Sequence, residues 1–209
     1  MNRPELLVLD AMGVIYEAGD DVAAFLLPFL RSRGCVLTDG QIRSLYVECS
    51  RGALDVGAFW DAVGLRRKDV ESTYLTLHRL MPGIADFLRW LKKRGVPVAC
   101  LSNDVGEWSA ALRSRHGLES LIRTWVVSSE VRSRKPDARI YEALARRVGI
   151  PCDLWLLVDD RAPNLDAAKD LGATTVHFGE VSADGHRHAK DLVSLRGLVE
   201  RLVDTSPAS

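Results

Sequence analysis

Leu6-Leu7-Val8-Leu9-Asp10-Ala11-Met12-Gly13 stands near the beginning of the 209-residue sequence. Its four apolar residues are far too few for a membrane span. Asp10 cuts the run, so it reads as a short strand and not as a secretion signal. A strand with no polar alternation is buried on both faces, which is the habit of parallel sheets covered by helices. Working outward, apolar runs recur at 96–101, 123–127, 154–158 and 173–178. Helix-like stretches follow them at 105–116, 137–148, 163–171 and about 190–202, and Ile140, Leu144 and Val148 share one helical face. Strands alternating with helices predict an α/β fold built on a doubly wound parallel sheet.

Residues from about 20 to 80 read differently. Ile42, Leu45, Tyr46 and Cys49 keep helical spacing, as do Val56, Phe59, Trp60 and Val63, and then Val70, Tyr74, Leu77 and Met81. Thr38 and Gln41 form a candidate capping box, and Pro28 should end or kink the first helix. No strand signal interrupts them, so about four helices are expected as an α-helical insert. Met81-Pro82-Gly83 marks the return to the sheet. The expected division is a core at 1–16 and 82–209, a helical cap at 17–81 and a frayed tail at 204–209.

Composition narrows the field further. Lys plus Arg and Asp plus Glu are both 28, so the formal net charge is zero. That balance points to no nucleic-acid or membrane-surface partner. Apolar residues make up 47% of the chain, enough for one core with an accessory domain. Cys35, Cys49, Cys100 and Cys152 are far apart and show no metal or redox spacing, as expected of reduced thiols in a cytoplasmic protein. Nothing in the sequence chooses between a monomer and a homodimer.

Open parallel sheets bind ligands at the carboxyl ends of their strands. Asp10 follows the first run, Ser102 and Asn103 follow another, and Asp159 and Asp160 follow a third. Lys135 precedes a helix and can reach the same edge. Two adjacent acids at the end of a buried strand are costly unless paired or metal-bound. Carboxylates from two strands suit magnesium, which prefers oxygen ligands. A cation there would let an anionic carboxylate approach a phosphate, act as nucleophile and form an aspartyl-phosphate. A hydroxyl and a lysine would hold the remaining phosphoryl oxygens.

The ordered set resembles the four motifs of the haloacid-dehalogenase superfamily. Leu9-Asp10-Ala11-Met12-Gly13-Val14 is similar to the first, Leu101-Ser102-Asn103 to the second, Arg134-Lys135-Pro136-Asp137 to the third and Val158-Asp159-Asp160 through Asn164 to the fourth. The insert resembles the type-one helical cap of subfamily I, on a Rossmann-like core. Within the superfamily the motifs look most like glucose-1-phosphate phosphatase-like proteins and the phosphatase domain of soluble epoxide hydrolase. The resemblance implies a magnesium-dependent hydrolase acting on a small phosphorylated metabolite, with Asp10 as nucleophile. It implies Asp160 and the Met12 carbonyl as further metal ligands, with Asp159 in support. Ser102, the Asn103 amide, Gly13 and Lys135 would bind the phosphoryl group, and Asn164 would act from behind.

One position departs from the pattern. Most phosphatases of the superfamily carry a second Asp two residues after the nucleophile, as the acid–base group; here that residue is Met12. Acid–base help is worth roughly 10²–10⁴-fold in rate. The sequence therefore implies either a phosphatase restricted to good leaving groups or one whose acid–base group comes from the cap. Met12 also admits two rivals, a 2-haloacid dehalogenase and a weakly active phosphate-binding regulatory protein. The dehalogenases need no metal, which leaves Asp159-Asp160 without a purpose. The five tryptophans read as packing residues, although Trp60 and Tyr46 could face the substrate from the cap. His78, His116, His186 and His188 suggest no chemistry.

Overall fold

The computed structural model describes residues 3–203; the tail expected at 204–209 lies outside them. Six strands form one sheet in which every neighbouring pair is parallel. They are β1 (Leu6–Leu9), β2 (Val98–Ser102), β3 (Thr124–Val127), β4 (Trp155–Asp159), β5 (Thr174–Phe178) and β6 (Arg187–Ala189). Their order is β3-β2-β1-β4-β5-β6. The chain moves outward from β1 to β3, then returns to the other side of β1 with β4. That reversal is a topological switch point, where a crevice opens at the carboxyl ends of the strands. The edge strand β6 falls in a stretch that reads as a polar loop. Only Ala189 of its three residues is buried, so it carries no apolar run to betray it.

Between β1 and β2 lie α1 (Leu27–Arg31), α2 (Asp39–Ser50), α3 (Val56–Ala62) and α4 (Arg67–Leu75), then α5 (Ile84–Lys93). A π-helical turn at Val22–Leu26 runs into α1, and Pro28 sits in the first turn of α1. Pro28 therefore lies inside a continuous helical run, beside the point where π hydrogen bonding gives way to α; the run changes register there and does not end. The capping box at the start of α2 is present, with the Thr38 N–H donating to Gln41 Oε1 at 2.8 Å and the Gln41 N–H to Thr38 Oγ1 at 3.3 Å. The helical spacing through Met81 overruns the helix: α4 ends at Leu75, and Leu77 and Met81 pack from irregular chain. The two connections between insert and sheet are joined to each other. The Met81 N–H donates to the Ile15 carbonyl at 2.8 Å and the Glu17 N–H to the Arg79 carbonyl at 3.1 Å, around a Tyr16–Leu80 bridge.

After β2 come α6 (Gly106–Arg115), a short α7 (Ser128–Val131), α8 (Ala138–Val148), α9 (Ala162–Asp170) and α10 (Leu192–Val203). Alternate residues of β1 serve opposite faces. Leu7 and Leu9 pack in the cluster holding Phe87 and Leu91 of α5 and Trp108 of α6. Leu6 and Val8 pack with Ile140 and Leu144 of α8 and Leu165 of α9. The first cluster continues into the insert. Trp60 meets Phe29, Phe59, Tyr74 and Trp108 at ring separations of 5.4–6.3 Å. The indole N–H groups of Trp60 and Trp108 both donate to Glu71 Oε2 at 2.9 Å. Trp60 is therefore a packing residue and does not face a substrate. No helix among the described residues is long and apolar enough to cross a membrane.

Candidate active site

Asp10, Asp159 and Asp160 meet at the switch point. The sheet sets this up directly, because Leu9 pairs with Val158 and the Asp10 N–H donates to the Val158 carbonyl at 2.9 Å. The next residues of β1 and β4 thus emerge side by side. One oxygen from each of the three carboxylates lies within 4.8 Å of the others.

Lys135 is buried among them. Its Nζ lies 2.8 Å from Asp10 Oδ1 and 2.7 Å from Asp159 Oδ2. Asn103 holds the lysine in place from the end of β2: the Lys135 N–H donates to Asn103 Oδ1 at 2.7 Å, and Asn103 Nδ2 donates to the Lys135 carbonyl at 2.9 Å. The Asn103 side chain thus fixes the Lys135 backbone through both of its polar atoms. Asp159 has no exposed surface. It also accepts from Asn164 Nδ2 at 3.0 Å on both oxygens and from the Arg161 N–H at 2.9 Å. Asn164 thus stands behind Asp159.

Three carboxylates face one ammonium, and their titration reflects the imbalance. Burial, reinforced by Asp159, pushes Asp10 up to about 7, against the pull of Lys135. Burial and then Asp159 push Asp160 up to about 6. Burial works against the charge on Lys135, but Asp10 and Asp159 hold its proton on beyond the ordinary lysine range. Two buried polar atoms have no hydrogen-bond partner here among the described residues, Asp160 Oδ1, which has only Arg161 Nε at 4.0 Å, and Ser102 Oγ. Buried polar atoms are rarely left so unless a ligand completes them. An excess of buried negative charge beside a carboxylate oxygen without a hydrogen bond is the donor set of a hard divalent cation. The tight turn after Asp10 fits that reading. It uses the Ala11 carbonyl, which accepts from Tyr16, and the Gly13 N–H, which donates to Tyr16. Neither bond takes the Met12 carbonyl.

Gly13 has a role other than the one expected. Its N–H is already given to the Tyr16 carbonyl at 2.9 Å, so it is not available to a substrate. What Gly13 supplies is room: it has φ +83°, and a Cβ there would lie 2.5 Å from Asp160 Oδ2. Gly19 gives the same carboxylate room from the other side.

A cavity of about 220 Å³ opens over Asp10, Ser102 and Lys135. Met12 lines it, as do Tyr46 and Arg43 of α2, the turn at Gly19, Asp20 and Asp21, and Arg134 and Arg161. Arg134 also donates to Ser50 Oγ of α2, and Ser128 Oγ donates to the Ser50 carbonyl at 2.6 Å. The helical layer is thereby docked over the site. Asp20 is bound on both oxygens by Arg43, at 3.3 and 3.0 Å. Asp21 is buried, with Oδ2 3.7 Å from His78 Nε2. His78 is itself buried. Residue chemistry alone singled out Asp10, Ser102, Lys135, Asp159 and Asp160. It missed Gly19, Asp21, Arg43, Arg134 and Arg161, for which an acidic pair before a helix and scattered arginines are weak signals.

A family model described as haloacid dehalogenase-like hydrolase matches residues 48–172. The chain is similar to a phosphoglycolate phosphatase of Pseudomonas syringae pv. tomato, at 24% identity over 205 residues, covering 90% of this chain and 73% of that protein. It is also similar to an (S)-2-haloacid dehalogenase of Pseudomonas sp. (strain YL), at 31% identity over 121 residues, covering 56% and 52%. The fold matches a solved HAD family enzyme from Bacteroides thetaiotaomicron, in complex with magnesium and inorganic phosphate. The TM-score is 0.72 and the identity 16%, over 87% of this chain and 98% of that one.

Proposed function

The chain belongs to the haloacid dehalogenase-like hydrolases, and from that premise we propose that it is a magnesium-dependent phosphatase that attacks through Asp10. The observation that carries the reading is the convergence of three carboxylates, two of them on one buried lysine, with the Ser102 hydroxyl unpartnered beside them. Asp10, Asp160 and the Met12 carbonyl would hold magnesium, with Asp159 behind them, and the ion would neutralise phosphoryl charge. Asp10 forms a bond to phosphorus as the ester bond breaks, giving an aspartyl-phosphate that water then cleaves. Lys135 and Ser102 hold phosphoryl oxygens as charge builds. Asp159 and Asn103 keep Lys135 aimed at Asp10.

The substrate class follows from the cavity wall. Arg43 is already paired with Asp20, but Arg134 and Arg161 bring further guanidinium groups to the wall besides Lys135, and about 220 Å³ suits a small molecule. A small phosphoester with a second anionic group fits, in keeping with the phosphoglycolate phosphatases among the relatives. A dehalogenase reading has Met12 and one relative in its favour. It gives no reason to bury Asp159 and Asp160 beside Asp10 without a cation. The test is a panel of phosphorylated metabolites, with and without magnesium, and 2-chloropropionate. Magnesium-dependent phosphate release, abolished in Asp10→Asn, is expected. Metal-independent halide release would replace this reading with the dehalogenase one.

A further inference from the structure

Met12 leaves the site without a proton donor two residues after the nucleophile. A second cluster of titratable groups lies below the same cavity, apart from the three carboxylates. It contains Asp21, His78, Asp104, Tyr46 and Tyr74, with Arg134 at its margin. We propose that Asp21, backed by His78, carries out the proton transfers that Met12 cannot; this rests on the phosphatase reading above.

Asp21 lines the one cavity with Asp10, Met12, Ser102 and Lys135. A small ester that fills about 220 Å³ with its phosphorus beside Asp10 presents its leaving group to the other walls. Of the two acids there, Asp20 is excluded as a donor. Its oxygens are taken by Arg43 and by the Ala23 N–H at 3.0 Å, and these bonds outweigh its burial and keep it ionised. Asp21 faces His78 instead, at 3.7 Å. The edges of Phe25 and Tyr74 flank the imidazole at ring separations of 5.2 and 5.1 Å. His78 Nδ1 has no partner among the described residues. An imidazolium in such a box is costly unless a carboxylate compensates it, and a buried carboxylate is costly unless it is protonated or paired. Asp104, buried close by, is pushed up to about 7, first by burial and then by the Asp21 charge.

The steps balance. As Asp10 bonds to phosphorus and the bond to the leaving group breaks, the Asp21 proton passes to the departing oxygen. Water then adds to phosphorus as the bond to Asp10 breaks, and the Asp21 carboxylate takes the proton that water gives up. His78 is a positioning residue that steadies whichever form Asp21 holds.

The experiment compares magnesium-loaded enzyme on 2-phosphoglycolate, whose leaving alkoxide needs a proton, and on p-nitrophenyl phosphate, whose phenolate does not. Asp21→Asn should lower kcat/KM on the alkyl ester by roughly 10²–10³-fold and on the aryl ester by less than about tenfold. The ratio of the two rates does not depend on how much protein is folded. Met12→Asp, added to Asp21→Asn, should restore most of the alkyl rate. His78→Gln should bias the ratio the same way, and Asp21→Asn/His78→Gln should be no worse than Asp21→Asn, because the two act as a unit. Equal losses on both esters, or no loss on either, overturn the proposal while leaving the phosphatase reading intact. No wild-type turnover of any phosphoester overturns both.

Discussion

Raising the pH should destabilise the metal-free protein, and magnesium should reverse this. Burial, with Asp159 adding to it, holds Asp10 at about 7 instead of its ordinary 3.8. A group whose proton is held more tightly in the fold than in the unfolded chain lends stability that is complete below its unfolded value. That stability is lost as pH climbs through the folded value. The window is therefore pH 4 to 7. At about 1.4 kcal/mol for each tenfold change, the Asp10 contribution is on the order of 4 kcal/mol in full. More than half of it survives at pH 5 and almost none at pH 8. Asp160 and Asp104 act in the same direction. Lys135, held above the ordinary lysine range, weakens only at far higher pH. Thermal melts in chelator should show wild-type Tm falling from pH 5 to pH 8, with about 5–10 °C attributable to Asp10. Asp10→Asn should remove that share of the slope. Magnesium at a hundred times its Kd should add roughly 2.7 kcal/mol at pH 8 and distinctly less at pH 5, where protons compete for the same oxygens. A slope unchanged by Asp10→Asn, or equal stabilisation by magnesium at both pH values, would refute the reasoning.

Two further substitutions probe the supports of the site. Gly13→Ala puts a Cβ 2.5 Å from Asp160 Oδ2 at φ +83°. The backbone alone should cost about 1–2 kcal/mol, and calorimetric titration should show weaker magnesium binding because Asp160 must move aside. Asn164→Ala removes the donor that Asp159 uses on both oxygens. With Asp159 fully buried, urea unfolding should register a loss of about 1–3 kcal/mol, and any smaller loss would mean that water replaces the amide.

Much of this was legible in the sequence because sheet and chemistry share one register. An apolar run ending in a polar residue marks both a buried strand and a ligand-facing end, so Asp10, Ser102 and Asp159-Asp160 declare themselves. Lys135 is readable only in company, since nothing in its neighbours says that it will be drawn in between Asp10 and Asp159. The cap was legible as helices and opaque as a binding wall. Trp60 and Tyr46 share the spacing of packing residues, yet one is sealed among aromatic rings and the other lines the cavity. Helical periodicity tells buried from exposed and cannot tell a core from a cavity wall. His78 follows α4, and the periodicity that ran through Met81 hid the break in the chain that turns it inward. Gly13 was expected at the phosphoryl group, and what the structure adds is the space it leaves for Asp160, far along the chain.

The order of strands has a consequence for how the molecule comes to exist. β1 leaves a ribosome well before β4, and Leu6 pairs with Trp155 of β4. Until β4 has been synthesised, one side of β1 is a bare apolar edge, the kind of surface that invites pairing with another nascent chain. The proposed cation site would be incomplete until then as well, because Asp159 and Asp160 end that same late strand. On that proposal, metal capture would report completion of the sheet, and a truncated product that stops short of β4 would be both sticky and without the carboxylates to hold the ion.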